Sequence, residues 1–167
     1  MTAFLTEPLN SSHKKSDFRC GYAMLDRYLH KQAKQDVKRK LSACFILSDT
    51  DHTVKGYYTL SNAGISRSLI PEEIKNRLPL SYESLPVTLL GRLAVSELFK
   101  GQGLGSLLLI DALKRSYIVS NTIGSMAVVV DPIDEHARTF YARFQFIELP
   151  GSGKMFLPMK TIEQLFI

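Results

Sequence analysis

The chain has no tryptophan and only two cysteines, Cys20 and Cys44, in 167 residues. Two isolated thiols cannot build a disulfide framework and lack the paired spacing of a zinc site, so they read as packed side chains in a reducing compartment. His13, His30, His52 and His136 show no ligand spacing either, and no metal is expected. No apolar run approaches the ~20 residues that a membrane-spanning helix needs. The first twenty residues, MTAFLTEPLNSSHKKSDFRC, hold no apolar core of a secretion signal, which points to the cytoplasm. Repeats and low-complexity tracts are missing too. With 45% apolar and 22% charged residues, the composition is that of a globular protein, and the length suits one domain over residues 1–167.

Charge is present but unevenly placed. Between Lys14 and Lys40 stand nine Lys and Arg against three Asp, so more than the whole net charge of +5 is concentrated in this segment. Tyr22, Leu25, Leu29, Ala33 and Val37 recur at three- and four-residue steps, the apolar stripe of an amphipathic helix over Tyr22–Val37. Arg27, Lys31, Lys34 and Lys38 follow the same steps on the opposite side, within an arc of roughly 60° on a straight helix. Such a basic rail is either an ordinary solvated face or a surface that meets a polyanion.

Further along, SACFILS (42–48) and TVKGYYTLSNAGIS (53–66) read as a strand hairpin. Pro71 and Pro79 bracket a short helix. A buried strand is expected over Thr88–Val95, a helix from about Gly103 to Ser116, a strand over Ser125–Val130, a short helix over Glu135–Phe144 and a last strand near Met155–Met159. Strands alternating with helices predict an α/β (α+β) protein with a mixed central sheet flanked by helices.

The strand-to-helix joint, TLLGRLAVSELFKGQGLGS, is the most informative stretch. Glycines at 101, 103 and 105 let the chain approach a phosphate closely, and the helix start supplies free N–H groups. A dinucleotide fingerprint needs G-x-G-x-x-G and an acidic residue about twenty positions on; neither is here. A triphosphate loop ends in Gly-Lys-Ser/Thr, whereas this one ends in Gly-Ser. Coenzyme A remains as the phosphate ligand, beside the plain alternative of a tight turn with no ligand.

Lys100 to Gly105 resembles the R/Q-x-x-G-x-G/A acetyl-coenzyme A signature of the GNAT N-acetyltransferases, with Lys100 replacing the usual Arg or Gln. FRCGYAMLDRYLHKQA, VKGYYTLSNAGI, GRLAV and DPIDEHARTFYARFQFIELPGSGKMFLPMKTI resemble, in order, segments of the GNAT toxins of bacterial toxin–antitoxin modules, the TacT and AtaT type. The resemblance implies a GNAT fold and acetyl-CoA as co-substrate. It also implies acetyl transfer to the α-amino group of aminoacyl-tRNA, a DNA-binding antitoxin as partner, and a homodimer. By the same resemblance Leu93, Ala94, Val95, Lys100, Gly101, Gln102, Gly103, Leu104, Gly105 and Ser106 hold the cofactor. Lys100 is then expected to add a point charge near the phosphates. Tyr141 is implied as the proton donor, and Arg27, Lys31, Lys34 and Lys38 as tRNA contacts. Arg92 is read as a contact to tRNA or cofactor, or as half of an ion pair.

The strand TLLGRLAV contains no Asp, Glu or His to act as general base. A lysine amine with a pKa near 10.4 needs such a base at neutral pH, whereas an α-amine near 7.7–8.0 is already partly free. The absence favours an α-amine acceptor, with Glu97 or water as the proton's destination. A GNAT enzyme acting on a small amine or protein N-terminus, and a module that only binds, stand as the competing readings.

Overall fold

The computed structural model describes residues 3–167; Met1 and Thr2, the first residues of the segment read for a secretion signal, lie outside the described residues. Seven strands form one mixed sheet in the order β1-β2-β3-β4-β5-β7-β6. They are β1 (Glu7–Pro8), β2 (Ala43–Ser48), β3 (Val54–Ser66), β4 (Ser84–Val95), β5 (Ala127–Val130), β6 (Ile147–Glu148) and β7 (Met155–Pro158). The helices are α1 (Ala23–Lys31), α2 (Ala33–Lys38), α3 (Glu72–Lys75), α4 (Leu104–Ser120), α5 (Glu135–Arg143) and α6 (Met159–Glu163). The mixed sheet with helices agrees with the expectation, while β1, β6 and α6 were not foreseen. Each of the three is five residues or shorter, too little for a periodic signal.

The chain divides into two compact units, and β3 and β4 run through both. The first comprises the chain up to Ser61 together with Leu90–Arg115. Here successive residues of β3 serve opposite faces, as the period of two requires. Tyr57, fully buried, stacks on Tyr28 of α1 and donates to the Leu25 carbonyl at 2.7 Å. Tyr58, equally buried, donates to Asp111 of α4 at 2.9 Å. Leu25, Leu29 and Ala33 fill the core on the α1 side, so the predicted apolar stripe is the packing face.

The expected single helix over Tyr22–Val37 is two. It breaks at Gln32, whose φ of −124° leaves the helical region, and no Gly or Pro marks the spot. Across the break Tyr28 donates to Asp36 with a hydrogen bond of 2.9 Å, and Ala33 just after it is fully buried.

The second unit comprises Asn62–Leu89 and Ser116–Ile167. Its core gathers Val87 of β4, Ala127 and Val129 of β5, Phe156 of β7 and Ile70. β5 pairs parallel with β4 at Thr88↔Val128 and Leu89↔Val129, and antiparallel with β7. Asp134 caps α5, its carboxylate accepting the Ala137 N–H at 2.8 Å.

Candidate active site

Within the first unit, β4 ends at Val95 and a short turn over Glu97–Phe99 leads to the glycines. The Ser96 N–H donates to the Lys55 carbonyl of β3 at 2.8 Å. Leu93 and Val95 are half-buried and Ala94 is buried at this end of β4. Gly56 of β3 makes this packing possible. A Cβ there would stand 2.8 Å from the Ala94 carbonyl oxygen and 2.7 Å from Leu108 of α4.

Gly101 and Gly103 adopt φ of +82° and +73°, the left-handed region that glycine enters without cost. At neither does any atom lie within 4 Å of where a Cβ would stand, so the loop's surface is open. The first bond of α4 runs from Leu107 N–H to Gly103 carbonyl at 3.2 Å. The amides of Leu104, Gly105 and Ser106 therefore precede the helical ladder, at the positive end of a seventeen-residue helix. Leu104 is buried and anchors that end, while Gln102 is exposed. An open loop lined by unpaired donors fits a diphosphate.

Lys100 is placed differently from the expectation of a phosphate-facing charge. Its Nζ donates to the Cys20 carbonyl at 2.9 Å, which directs the ammonium to the segment preceding α1.

Arg27, Lys31, Lys34 and Lys38 are all exposed. The break at Gln32 divides them, two on α1 and two on α2, so no straight rail exists. Arg92 joins this group: its guanidinium lies 3.5 Å from the centroid of the Tyr28 ring. Among the described residues it has no ion-pair or hydrogen-bond partner, so the structural ion pair considered for it is not formed. Burial and the Asp36 hydrogen bond push the Tyr28 hydroxyl up to about 12, with Arg92 pulling the other way.

In the second unit, Tyr141 sits on α5 with 8% of its surface exposed, its ring against Phe140 and Phe146 at 5.3 Å each. Among the described residues its hydroxyl has no hydrogen-bond partner. Burial raises its pKa and holds it as the neutral phenol.

One polar cluster escaped the sequence. Asp111, 5% exposed, accepts from Leu5 N–H (2.7 Å), Thr6 Oγ1 (2.6 Å) and Tyr58 Oη (2.9 Å). Arg115 lies between Phe4 and Phe45, 3.9 Å from each ring centroid, and donates to Tyr58 Oη and to Thr6. Asp111 and Arg115, one turn apart on α4, were the only signal. Among the described residues no group of three His, Cys, Asp or Glu is placed to hold a metal.

A mixed sheet whose long strand opens through a left-handed glycine turn into a helix start defines a protein of the GNAT fold. Comparison with known proteins agrees. The chain is 35% identical to a tRNA-acetylating toxin of Mycobacterium tuberculosis over 131 residues, covering 78% of this chain and 76% of that one. AtaT complexed with acetyl-methionyl-tRNAfMet superposes with a TM-score of 0.89 at 30% identity, covering 97% of this chain and 98% of that one. A tyrosine-to-phenylalanine mutant of AtaT, bound to the C-terminus of the antitoxin AtaR and to acetyl-CoA, superposes at 0.82 with 28% identity, covering 96% of each. No protein-family model matches the chain. The chain belongs to the family of the tRNA-acetylating toxins.

Proposed function

We propose that residues 1–167 form one GNAT domain that transfers acetyl from acetyl-CoA to the α-amino group of an aminoacyl-tRNA. It thereby acts as a translation-blocking toxin held in check by a DNA-binding antitoxin. The observation that carries the reading is the open left-handed turn at Gly101 and Gly103 ahead of the free α4 amides, in a chain of this family. β3 and β4, continuous through both units, support the single domain. An aminoacyl-tRNA substrate supports a cytoplasmic location for the enzyme.

Acetyl-CoA, when bound, supplies an activated thioester. The amides of Leu104, Gly105 and Ser106 hold its diphosphate. Main-chain amides of the Leu93–Val95 stretch donate to the carbonyl oxygen as it gains negative charge. The substrate nitrogen bonds to the carbonyl carbon, the carbon–sulfur bond breaks, and the departing sulfur takes a proton, the role that the family resemblance gives to the Tyr141 hydroxyl, which water then reprotonates. The proton lost by the nitrogen goes to water, since β4 offers no base. Arg27, Lys31, Lys34, Lys38 and Arg92 hold the nucleic acid phosphates.

Labelled acetyl-CoA incubated with a full set of charged tRNAs tests the reading. Label is expected in charged but not in uncharged tRNA, and expression is expected to arrest growth unless Tyr141→Phe is present. Transfer to small amines or protein N-termini with none to tRNA would replace it with the alternative.

A further inference from the structure

The loop that holds the glycines is fastened to the segment that starts the basic helix by two contacts, and a third ties that segment to α1. The Glu97 N–H donates to the Arg19 carbonyl at 2.7 Å, and Lys100 Nζ donates to the Cys20 carbonyl at 2.9 Å. Between them Gly21 adopts a φ of +95°, which strains any other residue, and a Cβ there would stand 3.2 Å from Glu97 Oε1 and 3.4 Å from Lys100 Nζ. The third contact closes the turn onto the helix, the Cys20 N–H donating to the buried Asp26 carboxylate of α1 at 2.8 Å. Asp26 precedes Arg27 and lies two residues before Tyr28, the ring over which Arg92 lies. A displacement of the glycine loop is therefore passed through backbone-anchored, charge-assisted bonds to the base of α1.

We propose that Lys100 is a positioning residue that joins the acyl-carrier loop to α1, so that binding of acetyl-CoA and binding of tRNA strengthen one another. The proposal rests on the function proposed above and assigns Lys100 no contact with phosphate. An ammonium bonded to a main-chain carbonyl orders both partners at once, and whichever ligand binds first leaves less ordering for the second. Linkage makes the effect reciprocal: acetyl-CoA must tighten tRNA by the factor by which tRNA tightens acetyl-CoA.

The test compares the wild-type chain, Lys100→Met and Lys100→Arg. Acetyl-CoA affinity is measured by calorimetry with and without an uncharged tRNA, and tRNA affinity by fluorescence anisotropy with and without coenzyme A. The wild type is expected to show the same coupling factor from both directions, about fivefold. Lys100→Met is expected to bring that factor to about one while leaving thermal stability nearly unchanged, because the side chain is exposed. Lys100→Arg, which can still donate to the Cys20 carbonyl, is expected to restore most of it. Gly21→Ala, strained at a φ of +95°, shifts the turn that carries the Cys20 carbonyl and is expected to lower the coupling as well. Two results overturn the proposal: a wild type that binds both ligands independently, or a Lys100→Met that weakens acetyl-CoA alone and flattens its salt dependence, the mark of a phosphate contact. A wild type that binds neither ligand would instead overturn the function proposed above.

Discussion

The Arg92 guanidinium lies over Tyr28, 3.5 Å from its ring centroid, and has no anionic partner among the described residues. The ring contact holds the planar group while its N–H donors remain free, an arrangement suited to a phosphate. Arg92→Met is expected to weaken tRNA binding and to reduce the slope of log affinity against log salt by about 0.7–0.9, one released counterion. Arg92→Lys keeps the charge and loses the fork, so the slope should hold while affinity falls. Binding measured across a salt series separates the two, and an unchanged slope in Arg92→Met would remove Arg92 from the interface.

Gly103 offers a test of the loop that does not depend on the tRNA. A side chain at φ of +73° costs about 1–2 kcal/mol, and the strain is relieved by rotating the peptides that precede α4. Gly103→Ala is expected to raise the acetyl-CoA dissociation constant about tenfold, read by calorimetry, with a modest loss of thermal stability. The Cβ itself meets nothing within 4 Å, so a clash with protein is not the cause. Unaltered affinity would mean that the diphosphate rests elsewhere.

Tyr141 couples chemistry to pH. Its hydroxyl has no hydrogen-bond partner among the described residues, so Tyr141→Phe should leave stability within about 0.5 kcal/mol of wild type while lowering kcat by ~10²–10³. Burial raises its pKa above the ordinary value near 10, so the acid form persists where a free tyrosine would have ionised. The rate should therefore show no loss on an alkaline limb near pH 10. Folding stability has the opposite fate. Above pH 10 the unfolded chain releases the Tyr141 proton and the folded chain keeps it, so stability falls as pH rises through that range. An alkaline limb near pH 10 that vanishes in Tyr141→Phe would show a tyrosine far less buried than this one.

The parts that were legible in the sequence are those set by local pattern. The apolar steps from Leu25 to Ala33 mark the packing face of α1 and α2, and the glycines at 101 and 103 announce a turn that only glycine makes comfortably. What was not legible depends on distant partners. Nothing near Gln32 signals the helix break, across which Tyr28 donates to Asp36 and after which Ala33 is buried. Lys100 looks like a phosphate contact until Cys20, eighty positions away, is seen to take its proton donor. Arg92 gave charge without a partner in sequence, and its partner turned out to be a ring.

The last expectation concerns what fixes α4, and with it the helix start that holds the phosphates. Asp111 is the common acceptor for Leu5, Thr6 and Tyr58, and Arg115 covers the same cluster from between two aromatic rings. Removing the carboxylate leaves three donors in a region where Asp111 is only 5% exposed. Asp111→Ala should therefore cost about 3 kcal/mol in denaturant unfolding. Asp111→Asn retains one acceptor oxygen but turns an amide toward the remaining hydroxyls, which can rotate to accept, so its cost should be smaller. If the cluster holds the N-terminal segment onto α4, protease cleavage near Phe4 should accelerate in Asp111→Ala at temperatures where the rest of the chain stays folded. Equal cleavage in variant and wild type, with equal stability, would mean that hydrophobic contact of Phe4 with Arg115 and its neighbours suffices to hold the segment, and that the buried charge contributes little.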